Sequence, residues 1–237
     1  KDIIDESKQI LRNTDFLLDI SGYALGSNWK LRSVLYYLSR IRIAKKHGIK
    51  VFLMPQSYGP FDYPVIIDSF MKRLIKDSLK RASKIYAREN EGFNLLTQEF
   101  NLDNVELSPD LVLQNKEIDL KKIYNEVPDI CDSTIENNSV AIVPNMKNFS
   151  YGNISEIISL YEQSIKKMLE MGLTVYLLRH SFEDIEACEM IKEKFKVNDK
   201  VILLSDEYSC FEYELMVRKF KFIIASRYHS VIHAYKN

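Results

Sequence analysis

Apolar residues along this chain recur in two alternating rhythms. Short runs, Phe16–Ile20, Val51–Met54, Val140–Val143, Thr174–Leu178, Val201–Leu204 and Phe222–Ala225, are bounded by turn formers or charges and read as buried strands. Lys84–Ala87 and Val105–Leu107 read as shorter strands. Between them the spacing turns helical. Trp29–Lys46 carries Leu31, Val34, Leu35, Leu38, Ile41 and Ala44 at helical intervals, and Gly48 closes that helix. Val65–Leu79 sets Ile66, Phe70, Leu74 and Ile75 on one side. Helices are also predicted over Glu91–Phe100, Ile154–Met171, Glu183–Phe195 and Phe211–Lys219, and Asp2–Asn13 reads as the tail of a polar helix. Strand-helix units repeated in this way predict an α/β fold with parallel sheets covered on both faces.

The rhythm fades between Gln114 and Asn138, where charges, Pro128 and Cys131 accumulate. This predicts an N-terminal half over 1–114, a linker or peripheral insertion over 115–138 and a C-terminal half over 139–237. Composition narrows the function. Formal net charge is zero, so no global field recruits nucleic acid or an acidic membrane, and any anion binding must be local. No apolar run reaches transmembrane length and no signal-peptide pattern opens the chain. Cys131, Cys188 and Cys210 form no CxxC pair, and three of them make no disulfide framework, which fits a reducing cytosol. With seven glycines and neither a GxGxxG nor a Walker sequence, a glycine cradle for nucleotide phosphates is disfavoured. A Gly-x-Ser-x-Gly elbow is absent, so hydrolysis through a covalent intermediate finds no support.

Candidate chemistry gathers at predicted strand ends, where parallel sheets hold their ligands. Phe222–Ala225 breaks into Ser226, Arg227, Tyr228 and His229 just where a helix should start. Ser226 is the expected cap, the helix N-terminus favours an anion, Arg227 adds a planar fork of donors and His229 a proton donor. The plainer reading is that Arg227 pairs with an acid and His229 only caps the helix. Arg179 and His180 end a neighbouring strand, so His180 is expected near His229; Asp184 is either the carboxylate that orients His180 or an ordinary first-turn acid. In the first half, Gln56, Ser57 and Gly59 end a strand with neutral donors suited to a sugar, or else form a tight turn. Arg88 offers a second guanidinium or pairs with Glu89 or Glu91, and Asn145 follows the first strand of the second half. His229 and His233 stand four apart, a spacing that can hold zinc, but no third ligand cluster is evident and no metal is expected.

Three stretches carry a resemblance: Ser226–Ala234 (SRYHSVIHA), Val51–Phe61 (VFLMPQSYGPF) and Tyr176–Asp184 (YLLRHSFED), with weaker support from Asp15–Leu25, Tyr86–Gly92 and Ser108–Leu113. In order and spacing they resemble the polysaccharide pyruvyl transferase family, although Pro55 stands where that family commonly has Gly. The resemblance implies a GT-B-like arrangement of two Rossmann-like halves, with an acceptor side in the first and a donor side in the second. It also implies that family elements precede Lys1 and follow Asn237. The implied reaction moves pyruvate from phosphoenolpyruvate, as a ketal, onto two hydroxyls of a sugar in a cell-surface glycan or its lipid-linked precursor, with no cofactor. His229 is then the candidate acid, His180 a base or a phosphate ligand, and Arg227 with Ser226, Arg179 and Arg88 the anion side. The implied location is cytoplasmic or peripheral at the inner face of the membrane. Alternatives are a glycosyltransferase or sugar epimerase using a nucleotide-sugar, and a non-catalytic glycan-binding protein of the same fold.

Overall fold

In a computed structural model, residues 9–114, 119–127 and 135–237 are described. The chain divides into two compact units, Lys1–Gln114 and Asn115–Asn237. In the first unit β1 (Phe16–Asp19), β2 (Lys50–Gln56), β3 (Lys84–Ala87) and β4 (Val105–Leu107) form a parallel sheet in the order β1-β2-β3-β4. They are linked by α1 (Leu31–Lys46), α2 (Val65–Leu79) and α3 (Asn90–Asn94), which runs into a π turn over Leu95–Glu99; α4 (Leu111–Gln114) follows β4. In the second unit β5 (Ser139–Val143), β6 (Thr174–Leu178), β7 (Val201–Leu204) and β8 (Ile223–Ala225) form a parallel sheet in the order β7-β6-β5-β8. Here α5 (Met146–Tyr151), α6 (Ile154–Glu170), α7 (Asp184–Glu193), α8 (Cys210–Val217) and α9 (Tyr228–Lys236) make the connections and the end.

The two strand orders have different consequences. A linear order puts successive crossovers on the same side of a sheet. In the first unit Val51, Leu53, Ile85 and Ala87 accordingly share one apolar cluster with Val34, Leu38, Ile41, Met71, Ile75, Leu79 and Leu96. The strand side chains of opposite parity, Phe16, Leu18, Phe52, Met54 and Tyr86, line an open groove of about 500 Å³ instead. Cover on both faces is therefore not found here among the described residues. The second unit reverses direction at β5, with β6 on one side and β8 on the other. It has two cores: Val140, Ile142, Val175 and Leu177 pack with Ile165, Ala187 and Ile191, while Ala141, Val143, Tyr176 and Leu178 pack with Tyr213, Met216 and Val217.

Some expected helices differ in extent from their apolar spacing, and one is divided. The segment expected as a helix over 91–100 widens into the π turn after Asn94. The helix expected over 211–219 runs from Cys210 to Val217, started by a capping box between Ser209 and Glu212. Of the helix expected over 2–13, residues 2–8 lie outside the described residues, and residues 9–12 are helical. Within the stretch expected as a linker, Tyr124 sets its ring edge-on to Phe211 at 5.9 Å and shares a 2.9 Å hydrogen bond with Ser209. Pro128 and Cys131 lie outside the described residues.

Gly59 has φ +87, a conformation that costs a residue with a Cβ roughly 1–2 kcal/mol. Its N–H donates to the Leu25 carbonyl and its own carbonyl accepts from the Tyr23 hydroxyl, so the turn is held on both sides. Gly59→Ala is expected to lower the unfolding free energy from chemical denaturation by an amount in that range, and an unchanged value would show that the turn relaxes.

Candidate functional site

The reversal at β5 creates the position where an open parallel sheet ordinarily holds ligand. Around the carboxyl ends of β6, β5 and β8 the chain brings together Arg179, His180, Ser181, Asn145, Ser226, Arg227 and His229. Asp184, the first residue of α7, is fully buried among them. It accepts the Met146 N–H (2.9 Å) from the β5–α5 connection and the Ser181 N–H (2.9 Å) from the β6–α7 connection. It also accepts Nε (2.9 Å) and Nη2 (2.5 Å) of Arg227 from the β8–α9 junction. The exposed Glu183 takes a further bond from Nη2 at 2.6 Å.

This arrangement corrects two expectations. Asp184 does not orient His180, because its lone pairs meet a guanidinium and two backbone donors, and a full positive charge outcompetes a neutral imidazole. Ser226 does not cap α9. Its N–H donates to the Val143 carbonyl at 3.2 Å, extending the strand ladder by one residue, and its hydroxyl reaches the same carbonyl at 3.4 Å. Arg227, in an extended conformation, becomes the residue before the helix, and no side chain caps its first turn. The plainer reading of Arg227 as the partner of an acid is thus part of the structure. Asn145 caps α5 through Oδ1, which accepts the Lys147 N–H, while its Nδ2 donates to the Ser226 carbonyl at 3.2 Å.

His180 and His229 do meet. Their rings lie parallel, 6.3 Å apart between centroids with 6° between planes. His180 also stands edge-on to Tyr213 at 5.2 Å, and Tyr213 in turn packs against His233 at 5.6 Å. Burial, then the neighbouring His229, His233 and Arg227, hold the His180 pKa down at about 4. His180 is therefore a neutral imidazole near neutral pH, with a ring nitrogen able to accept a proton. Burial pushes the Tyr213 phenol well up, and its hydroxyl donates to Ser230 at 2.9 Å. His233 is buried with Glu214, whose carboxylate also meets Lys236 and Arg218. Among the described residues, no group of three or more His, Cys, Asp or Glu side chains could hold a metal ion.

Beside His180 lies a cavity of about 280 Å³ whose walls include Arg179, Tyr208, Cys210 and Tyr213. Arg179 is anchored there by Nε to the Asp206 carbonyl (3.2 Å) and by Nη2 near Glu207 (3.5 Å). The β7–α8 contribution to this cavity was not foreseen. The sequence signal for it was the Ser209–Glu212 capping box, which fixes where α8 begins and so places Cys210 and Tyr213 in its first turns. Burial and then Asp184 raise the other described thiol, Cys188, to about 12, so it is inert as a nucleophile near neutral pH.

In the first unit the expected ligand groups are engaged within the fold. Gln56 is fully buried, its Nε2 donating to Asp19 (3.0 Å) and to the Tyr37 hydroxyl (3.2 Å). Ser57 donates to Glu89 (2.9 Å), and Arg88 donates through Nε to both Ser57 and Glu89. Nη1 of Arg88 meets the buried Asp110 at 3.0 Å. Arg88 therefore pairs with Glu89, as one reading had it, and with Asp110, which was not foreseen.

A family model described as Polysaccharide pyruvyl transferase matches residues 1–237. No curated protein matches the chain. Among solved structures, the UDP-GlcNAc 2-epimerase from Methanocaldococcus jannaschii is similar in fold, with a TM-score of 0.60 and 14% identity over 98% of this chain. This chain spans 62% of the length of that one. The likeness agrees with the expected pair of Rossmann-like α/β halves.

Two measurements check this site. Asp184→Asn removes the charge that balances Arg227 in a buried position and is expected to cost roughly 3 kcal/mol or more of stability. Glu183→Gln, at an exposed partner, should cost no more than about 1 kcal/mol. Similar losses in both, read from denaturant midpoints, would contradict the central place given to Asp184. The depressed His180 pKa also sets a pH dependence. The unfolded chain takes up a proton near the ordinary 6.5 that the folded protein refuses until about pH 4. The contribution is complete above pH 6.5 and is lost as pH falls toward 4. His180→Gln should flatten the stability-versus-pH slope in that window, and an unchanged slope would assign it to other groups.

Proposed function

Because the chain belongs to the polysaccharide pyruvyl transferase family, we propose that it transfers pyruvate from phosphoenolpyruvate to a sugar as a ketal, with the donor at the carboxyl edge of the second unit's sheet. The observation that carries this reading is the stacked pair of imidazoles beside Arg227. Phosphoenolpyruvate carries a carboxylate and a phosphate, and the uncapped first turn of α9 with the guanidinium of Arg227 offers N–H donors to an anion. Asp184 and Glu183 occupy the Nε and Nη2 side of that guanidinium and fix its plane, so the ligand is met by Nη1. Arg179 adds positive charge from β6.

The chemistry divides between the histidines. His229, as imidazolium, protonates the methylene carbon of the enol, and the oxocarbenium-like centre takes the first sugar hydroxyl. That hydroxyl's proton passes to neutral His180. The C–O bond to phosphate then breaks, with the electron pair leaving on phosphate, and the second hydroxyl closes the ketal while its proton leaves with the phosphate. One hydroxyl proton thus replaces the one given to the methylene carbon. Two parallel rings at this separation suit the division, because a proton on one raises the cost of a proton on the other. The acceptor belongs to the first unit in this reading, as a sugar of a surface glycan or its lipid-linked precursor. The protein works in the cytoplasm or at the inner face of the membrane. Among the described residues no helix is long and apolar enough to cross a membrane.

His229→Ala is expected to lower kcat by roughly 10²–10⁴-fold while phosphoenolpyruvate affinity changes little. Single-turnover kinetics paired with donor titration reads both; normal turnover, or equal loss of binding and rate, would remove His229 as the acid. Ligand-induced thermal shifts separate the donor classes. Phosphoenolpyruvate at about 100 times its Kd should stabilise the fold by roughly 2.7 kcal/mol. Stabilisation by a nucleotide-sugar in its place would favour the epimerase or glycosyltransferase alternative.

A further inference from the structure

The first unit holds a second cavity, of about 590 Å³, which the donor chemistry does not use. It opens where β1 gives way to its connection with α1, again at the carboxyl edge of a parallel sheet. Its walls include Tyr23, Trp29, Arg32, Tyr36, Tyr37 and Arg40. Arg32, Tyr36 and Arg40 recur at intervals of four along α1 and so form one stripe. The buried stripe is a different one, made by Val34, Tyr37, Leu38 and Ile41.

Three features of this cavity have no explanation in packing. Trp29 is 43% exposed and Tyr36 63% exposed, although burying such rings would stabilise the fold by roughly 1.5–3 kcal/mol each. The Arg40 guanidinium lies over the Tyr36 ring, 4.8 Å from its centroid, and a contact of this kind at an exposed site returns only about 0.5–1 kcal/mol. Neither Arg32 nor Arg40 has a carboxylate partner among the described residues. The rings are nevertheless held in place. Tyr23 leans on Trp29 with centroids 5.7 Å apart, and its hydroxyl is fixed by the Gly59 carbonyl (3.0 Å) and Asn28 (3.3 Å). Asp19 accepts from the Tyr37 hydroxyl at 2.5 Å and from the Ser21 hydroxyl, tying the cavity floor to β1.

Preorganised aromatic faces with neutral hydroxyls suit the apolar C–H face of a pyranose, and two guanidiniums on one stripe suit a phosphate joined to it. The volume lies in the usual range for a small-ligand site. We propose that this cavity binds a glycosyl phosphate, the sugar stacked on Trp29 and Tyr36 and the phosphate held between Arg32 and Arg40. The identification of that ligand as the transferase's acceptor rests on the function proposed above; the binding itself does not.

Trp29 is the only tryptophan of the chain, so its fluorescence reports on this cavity alone. The experiment titrates the full chain with a panel of hexose and N-acetylhexosamine 1-phosphates, with the corresponding free sugars and with inorganic phosphate. At least one sugar phosphate is expected to shift or quench Trp29 emission with a Kd roughly tenfold or more below those of its free sugar and of inorganic phosphate. Arg32→Ala with Arg40→Ala should remove that preference over the free sugar, and Tyr36→Ala should weaken sugar and sugar phosphate alike, with the fold checked by circular dichroism. No response from any sugar phosphate, or equal affinity for inorganic phosphate, would overturn the proposal. Phosphoenolpyruvate binding, followed by calorimetry in the same variants, should be unchanged. Its absence from the wild type as well would count against the donor reading and leave the glycosyl-phosphate site standing.

Discussion

The second unit is organised around one buried carboxylate. Asp184 collects donors from three connections, after β5, β6 and β8, at the place where the sheet reverses direction. Taking a charge out of water is costly, and this one is tolerable because every contact made to it is a hydrogen bond and one partner is a full cation. The result is a fixed junction. Arg227 cannot swing freely, the start of α9 is pinned to the start of α7, and the residues that follow each strand are held in register with one another. His180 and His229 leave two strands that are not neighbours, yet their rings come to lie parallel.

That junction also sorts the charges. Asp184 and Glu183 balance the Arg227 guanidinium along one side, while His180 feels the positive potential of Arg227 and its histidine neighbours. Burial together with that potential keeps His180 neutral. A carboxylate placed against His180, in the manner of a hydrolase triad, would raise its pKa and favour a charged ring. The first unit uses a comparable device with a different outcome. Arg88, after β3, meets Asp110, after β4, in a pair shielded from water. Ser57 and Glu89 close the network around it, leaving those groups to hold the sheet edge together. The rings and guanidiniums that line the second cavity in this unit come from the β1–α1 side.

The strands and most helices were legible because burial enforces periodicity: the buried strands β5 and β6 each leave a run of four apolar residues after an opening Ser or Thr. Short α5 was not legible, since six residues carry too little periodicity and Asn145 announces only a cap. The N-terminus of α9 was misplaced by one residue because Ser226 has the composition of a cap, and only the ladder bond to Val143 shows that the strand still holds it. The encounter of His180 with His229 was legible from parallel-sheet logic, which puts all strand ends on one edge. The true partner of Asp184 was not, because the competition between a histidine four residues away and an arginine forty-three away is decided in space. The lone exposed tryptophan and the stripe of Arg32, Tyr36 and Arg40 were visible in the sequence, but their meaning depends on which face of α1 is buried.

The most direct test of the account is a crystal of this protein soaked with phosphoenolpyruvate. The account predicts density for the phosphate or carboxylate within about 3 Å of Arg227 Nη1 and the first N–H groups of α9, with the methylene carbon facing His229. Density that leaves Arg227 and α9 untouched, or a nucleotide-sugar bound there with phosphoenolpyruvate excluded, would contradict it.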